Sequence, residues 1–445
     1  MDDLIERFAE KAPIATMVRA SLERVFADRA LDDLFARNAI NQYTKNLTFS
    51  TVTKLMCKVV LRTHDTIHAA VRFTGDIPVS ITAVYDKLAR LEVGISEALV
   101  AETADGVEAI IDALPDPPTD TIPGLRLRTL DGNFLAGTDH RLDCLRHCGA
   151  AALPGMSLVV RDGRTGLLTH LIGCEDAYTN ERSLADRLLP LVRANDLWLA
   201  DRNFCTEDYL GGIAERRAFF VIRHHAGTKL RAITEPRRVS KNKSGDIFQQ
   251  KVGVGPLVVN CILIRLFQPL RDGTTEIRLL TNVPATKAGA RRLAELYRRR
   301  WQIETAFQEL TQYLRCEVTT LGYPRAALFG FALAVAAYNV MILTKRAIGS
   351  HAGHDQVDRE LSVYYLATEI ATVSDGMAIA VPEQRWQRFA RMSDRVFARW
   401  LHKTAARINW RRYRKTPRGP TKPVKVVRTR RGAHRSTARV LAKHK

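Results

Sequence analysis

Residues 125–223 impose an order of elements that few folds accommodate. Segments 125–135, 156–161 and 167–174 are short, rich in branched residues and separated by turns such as Arg161-Asp162-Gly163, which predicts three strands. A helix over about 180–194 comes next, then an apolar strand, LWLA, running into Asp201. A helix over about 206–217 and a strand at 218–223 complete the series. Three strands, a helix, a strand, a helix and a strand predict an α/β sheet with mixed strand directions.

The flanks read differently. Residues 1 to about 115 look helical, with apolar residues at three- and four-residue intervals in segments such as 49–62 and 95–114. The stretch DALPDPPTDTIPG then places four prolines in a short span, which ends helices and marks a linker. From about 224 to 281 the pattern returns to β, with 257–266 and 276–280 as the clearest strands, and helices resume to about 398. One segment, AALFGFALAVAAYNVMILT at 326–344, has the length and composition of a membrane span. Its alanines, with Gly330 and Asn339 among them, suit a buried core helix, the reading preferred over a single span.

Charge points to the partner. The chain of 445 residues carries 68 Lys and Arg against 47 Asp and Glu, a formal +21, so a polyanion is the first expectation. The excess is uneven: residues 401–445 hold 16 basic residues and no acid, which leaves 52 basic against 47 acidic residues in 1–400. That tail cannot bury a core and is expected to be extended or disordered, either simply solvated or holding phosphates without reading bases. Seven scattered cysteines fit reduced thiols in a cytosol better than a disulfide framework. The opening MDDLIERFAE has neither the basic start nor the apolar run of a signal peptide, so a cytoplasmic protein is expected.

Two acids sit where a sheet offers chemistry. Asp131 lies in the first strand, in TLDGNFL, and Asp201 ends the fourth, in LWLADRNF. Ligands bind at the carboxyl ends of strands in open α/β sheets, and a carboxylate in an apolar strand is costly unless it is paired or holds a metal. A third acid comes from YRRRWQIETAFQELT, where Tyr297, Arg300 and Glu304 fall at helical offsets of 0, 3 and 7. On a helical wheel these lie at roughly 0°, 300° and 340°, so a hydroxyl, a guanidinium and a carboxylate share one stripe. Trp301, at roughly 40°, is expected to pack into the core. Three carboxylates, Asp131, Asp201 and Glu304, offer oxygen-only ligation of the kind Mg²⁺ prefers, with Mn²⁺ as a substitute and room for two ions.

These motifs resemble those of bacterial DDE transposases of the insertion-sequence-four type, whose third motif is Tyr-x2-Arg-x3-Glu-x6-Lys. Tyr297, Arg300 and Glu304 match its first three positions, while DGNFL at Asp131 and ADRNF at Asp201 are similar to the first and second acidic motifs. QYTKNLTFSTVTKLM from Gln42 is similar to the family's helical leader, and the resemblance spans about residues 40–345. The resemblance implies a ribonuclease-H-like catalytic core interrupted by a β-rich insertion. It also implies metal-binding Asp131, Asp201 and Glu304, with Tyr297 and Arg300 orienting DNA phosphates. The reaction so implied is nicking at each element end, hairpin formation and opening, and strand transfer into target DNA. The implied partners are double-stranded DNA, at element ends and target, and a second copy of the chain in a homodimer on DNA, in a bacterial cytoplasm at the nucleoid and without a membrane. One position departs, because the family's lysine falls on Thr311, whose hydroxyl cannot replace a point-charge grip on phosphate.

The expected organisation is a helical, DNA-end-binding region at 1–115, a first core part at 116–223 and a β-rich insertion at 224–285. A second core part carrying the Glu304 helix follows at 286–348, then a helical region at 349–400 and the basic tail at 401–445. Two other functions remain compatible with these residues. One is a metal-dependent nuclease on the same fold, since fold alone does not fix function; the other is a DNA-binding transposase relic in which Thr311 marks impaired activity.

Overall fold

The computed structural model describes residues 3–42, 44, 46–75, 77–139, 142–148, 151–270, 272–416 and 434–444. Its strands, in chain order, are β1 (Arg126–Phe134), β2 (Ala152–Leu153), β3 (Met156–Asp162), β4 (Leu168–Cys174), β5 (Asp196–Ala200) and β6 (Phe219–Arg223). They continue as β7 (Arg231–Ala232), β8 (Arg237–Lys241), β9 (Gly245–Val254), β10 (Leu257–Leu266), β11 (Glu276–Thr281) and β12 (Arg435–Ser436). Among the described residues, ten of them form one sheet in the order β4-β3-β1-β5-β6-β11-β10-β9-β7, with β8 pairing on β9. The chain is a mixed α/β protein with a large central sheet and many helices.

The central strands run as their composition suggests. β5 (DLWLA) is buried at every position, the mark of a strand covered on both faces, and it pairs in parallel with β1 on one side and β6 on the other. β3 lies antiparallel to β1 and β4 antiparallel to β3, joined by a turn in which Asp162 Oδ1 accepts hydrogen bonds from the Arg164 and Thr165 backbone N–H groups. The β-rich segment after residue 224 is not a separate sheet. Its last strand, β11, pairs antiparallel with β6, so the hairpin of β9 and β10 extends the same hydrogen-bonded surface. Gly255, at φ +53°, supplies the left-handed turn between them.

The helix expected over 180–194 is instead two short 3₁₀ segments, Glu181–Arg187 and Leu189–Leu191. Pro190, in the second segment, rules out an α-helix running through to 194, since its ring and missing N–H are incompatible with an α-helical interior. Helix Pro324–Ala352 is the expected core helix: 94% of its most apolar window lies inside the protein. It packs on the helix Val93–Asp112 and on β4, and one apolar cluster runs from Ile5 through this helix to Trp410. The boundary near 115 therefore separates element types but not cores. The tail differs from an extended chain where it is described: Trp410–Tyr413 is a 3₁₀ turn, β12 pairs in parallel with β2, and Thr437–Lys443 is helical. Ser436 Oγ and Arg439 Nε each lie 2.7 Å from Asp176 carboxylate oxygens. Residues 417–433 of the tail lie outside the described residues.

Asn339 is fully buried in the core helix, where its side chain joins both backbone groups of Leu168, accepting from N at 2.9 Å and donating to O at 2.8 Å. Asn339→Leu strands a buried donor and acceptor at the start of β4. The expected loss is about 2–4 kcal/mol, read as a lower urea midpoint with unchanged slope.

Candidate active site

Strand register brings the first two acids together. In the parallel ladder of β1 and β5, Thr129 is opposite Leu199, so Asp131, within β1, and Asp201, just past the end of β5, stand level two residues further along. Asp131 Oδ1 accepts from the Gly132 N–H at 3.1 Å. Asp201 caps the 3₁₀ turn Arg202–Phe204, its Oδ1 accepting from Asn203 N–H at 2.8 Å.

The third acid arrives through Arg300. Its guanidinium donates from Nη1 to Asp131 Oδ2 at 2.8 Å and from Nη2 to Glu304 Oε1 at 2.7 Å, tying strand to helix. The Arg300 side chain is 12% exposed, and its Nε is buried without a partner. Burial works against the guanidinium's charge, but Asp131, Tyr297 and Glu304 outweigh it and hold the pKa up. Burial pushes the Asp131 carboxyl up to about 6; Arg300 opposes that rise, while the charges of Asp201 and Glu304 add to it. The three carboxylates thus share one electrostatic neighbourhood.

The helix carrying this stripe is not uniform. α-Helix Ala290–Tyr297 and α-helix Trp301–Tyr313 are joined by a 3₁₀ turn, Arg298–Arg300. At roughly 120° per residue the turn brings Arg300 into line with Tyr297 and carries Trp301 outward. Trp301 is accordingly 64% exposed, against the expectation of core packing, with the Arg300 guanidinium 6.0 Å from its ring centroid. The Tyr297 hydroxyl donates to Ala200 O at 3.2 Å, bracing the strand end just before Asp201, and burial pushes its pKa up to about 12. The Thr311 hydroxyl donates to Phe307 O at 3.0 Å within its own helix.

One residue was not singled out by sequence. Glu181, in the first 3₁₀ segment, accepts a hydrogen bond at Oε2 from Asn203 Nδ2 at 3.0 Å. Burial raises its pKa; the Asn203 hydrogen bond lowers it and the Asp201 charge raises it further. The glycine after Asp131 and the asparagine two past Asp201 were signals in the sequence, but neither points to residue 181 until the fold joins them.

The three acids Asp131, Asp201 and Glu304 offer oxygen donors only, and their excess negative charge is what a hard divalent cation would neutralise. In this arrangement Arg300 bridges two of the acids, and among the described residues no three His, Cys, Asp or Glu side chains are grouped so as to hold a metal ion.

The family described as "Transposase DDE domain" matches residues 139–340, a span that includes Asp201, Tyr297, Arg300 and Glu304 and begins after Asp131. A putative transposase, y4zB, of Sinorhizobium fredii (strain NBRC 101917 / NGR234) is 30% identical over 152 residues, 33% of this chain and 41% of that protein. The chain thus spans about two fifths of the length of that curated relative. A piggyBac transposase in a synaptic complex with hairpin DNA is similar at a TM-score of 0.39 and 12% identity, over 85% of this chain and 75% of that one, a likeness too distant to bear on the site. Together, the matching domain and the y4zB relative support a DDE transposase.

Proposed function

We propose that this chain is a transposase of the insertion-sequence-four type, with a ribonuclease-H-like core, that cleaves DNA at element ends and joins the freed strand to target DNA. What supports this reading is that Arg300 links Asp131 to Glu304 while the register of β1 and β5 sets Asp201 level with Asp131. The strand order β4-β3-β1-β5-β6, with β3 and β4 antiparallel and β1, β5 and β6 parallel, supports the fold assignment. Asp131, Asp201 and Glu304 would hold one or two Mg²⁺ or Mn²⁺ ions. Such ions, when bound, activate a water or a 3′-hydroxyl and stabilise the departing oxygen of a phosphodiester.

The chain's own residues set the geometry around that chemistry. Tyr297 fixes the Asp201 strand end through Ala200, and Arg300 offers a buried cation beside the acids. As a phosphate enters, the Arg300 guanidinium is the donor placed to bind it, giving up one of its carboxylate partners. No side chain is required as general base. Synapsis of two DNA ends calls for two copies of the chain on DNA, and the basic tail adds sequence-independent hold on phosphates.

End-labelled DNA carrying the inverted repeats, incubated with the protein and Mg²⁺ or Mn²⁺, is expected to give hairpinned and joined products. Only shortened linear fragments would mark a simple nuclease. Ends that stay uncut until Thr311→Lys restores cleavage would mark a relic and overturn the claim of an intact enzyme.

A further inference from the structure

Beyond the three acids and their arginine, a second layer holds the Asp201 turn in place. Asn203 is gripped from two sides by consecutive residues: Glu181 Oε2 accepts from its Nδ2 at 3.0 Å, and Arg182 Nε donates to its carbonyl at 2.9 Å. Asn203 in turn donates its backbone N–H to Asp201 Oδ1 at 2.8 Å, which occupies one carboxylate oxygen. The gripping segment is itself anchored, since Asn180 caps the 3₁₀ turn through a 3.0 Å bond from Arg182 N–H.

The far side of Glu181 meets the strand that carries the other aspartate. A Cβ built on Gly132 would come within 2.1 Å of Glu181 Oε1, so the carboxylate lies directly against the backbone that follows Asp131. Any side chain at 132 must push Glu181 aside. The glycine therefore admits a carboxylate between β1 and the 201–204 turn, and the sequence pair Asp131-Gly132 has a reason beyond turn formation.

We propose that Glu181 is a positioning residue for Asp201, acting through Asn203 to hold the 201–204 turn, with Gly132 providing the space it needs. This rests on reading Asp131, Asp201 and Glu304 as the reaction centre. The clamp works as a hydrogen-bond acceptor, so an amide in place of the carboxylate serves equally. Positioning partners one layer out from metal-binding groups commonly change metal affinity by about 10–100-fold when removed.

The test uses the full chain, with Mn²⁺ binding followed by paramagnetic resonance of the free ion and cleavage of labelled end DNA measured in parallel. Glu181→Ala is expected to weaken Mn²⁺ binding at least about tenfold and to slow cleavage at limiting Mn²⁺. DNA binding and the unfolding temperature should stay close to those of the unaltered chain. Glu181→Gln should behave within about twofold of the unaltered chain, and Asn203→Ala should reproduce Glu181→Ala with no further loss in the double variant. Unchanged Mn²⁺ binding in Glu181→Ala overturns the proposal. So does a Glu181→Gln variant as impaired as the alanine one, because the carboxylate would then act by its charge. Asp201→Ala separates the two levels: if it binds Mn²⁺ as the unaltered chain does, the reaction centre itself is misassigned.

Discussion

Asp131→Ala and Glu304→Ala are each expected to slow cleavage of element-end DNA by about a thousandfold or more while DNA binding changes only a few-fold. A bound divalent cation contributes several kcal/mol of charge stabilisation in phosphodiester transfer, and each 1.36 kcal/mol is a factor of ten. Either substitution removes a carboxylate and leaves Arg300 with one acidic partner instead of two. Neither substitution removes a basic side chain, so gel-shift affinity separates lost chemistry from lost binding. Cleavage retained within tenfold in both variants would remove these residues from the reaction.

The second large effect is on stability, and its sign is opposite. Asp131 is a mostly buried carboxyl whose pKa rises from 3.8 to about 6, first through burial, against the opposing pull of Arg300. Below about pH 4 it is protonated in both the native and the unfolded chain and costs nothing. Between about pH 4 and 6 the unfolded chain ionises while the native one keeps its proton, so stability falls as pH rises; above about 6 the cost is constant. The shift corresponds to up to about 3 kcal/mol. Asp131→Asn, in the presence of a chelator, should therefore melt higher than the unaltered chain at pH 7.5, with the advantage gone by pH 4. An inactive variant more stable than its parent is the expected mark of a site held under electrostatic strain. A lower melting temperature at pH 7.5 would show that the Arg300 pairing outweighs burial.

Much of this site was legible because period and register are local properties. Short branched or apolar runs bounded by turns located β1, β3, β4, β5 and β6 to within a few residues, which put Asp131 within β1 and Asp201 just past β5. The stripe of Tyr297, Arg300 and Glu304 survived the 3₁₀ turn within it, because three residues at 120° still close one revolution. Trp301, one residue further, did not, and a wheel drawn at a constant 100° placed an exposed ring in the core. Glu181 was hidden for a different reason. An expected helix over 180–194 would have turned it with α-helical period, whereas it sits in a short 3₁₀ segment and meets Asn203. The tail shows the limit of composition: charge density describes residues 401–445 as a group, but the pairing of β12 with β2 depends on a partner strand far away in sequence.

The pairing of β11 on β6 has a practical side. Splicing a reporter domain into the β segment is compatible with the catalytic geometry only at some places, because a one-residue slip at the β6–β11 ladder would turn every side chain of β11 to the wrong face and strain the strand beside Asp201. The Gly255 turn is a poor choice as well, since a Cβ there would lie 2.5 Å from Glu207 Oε2. The connection between β10 and β11, where Phe267 and Leu270 are exposed, is the natural splice point for a fluorescent tag.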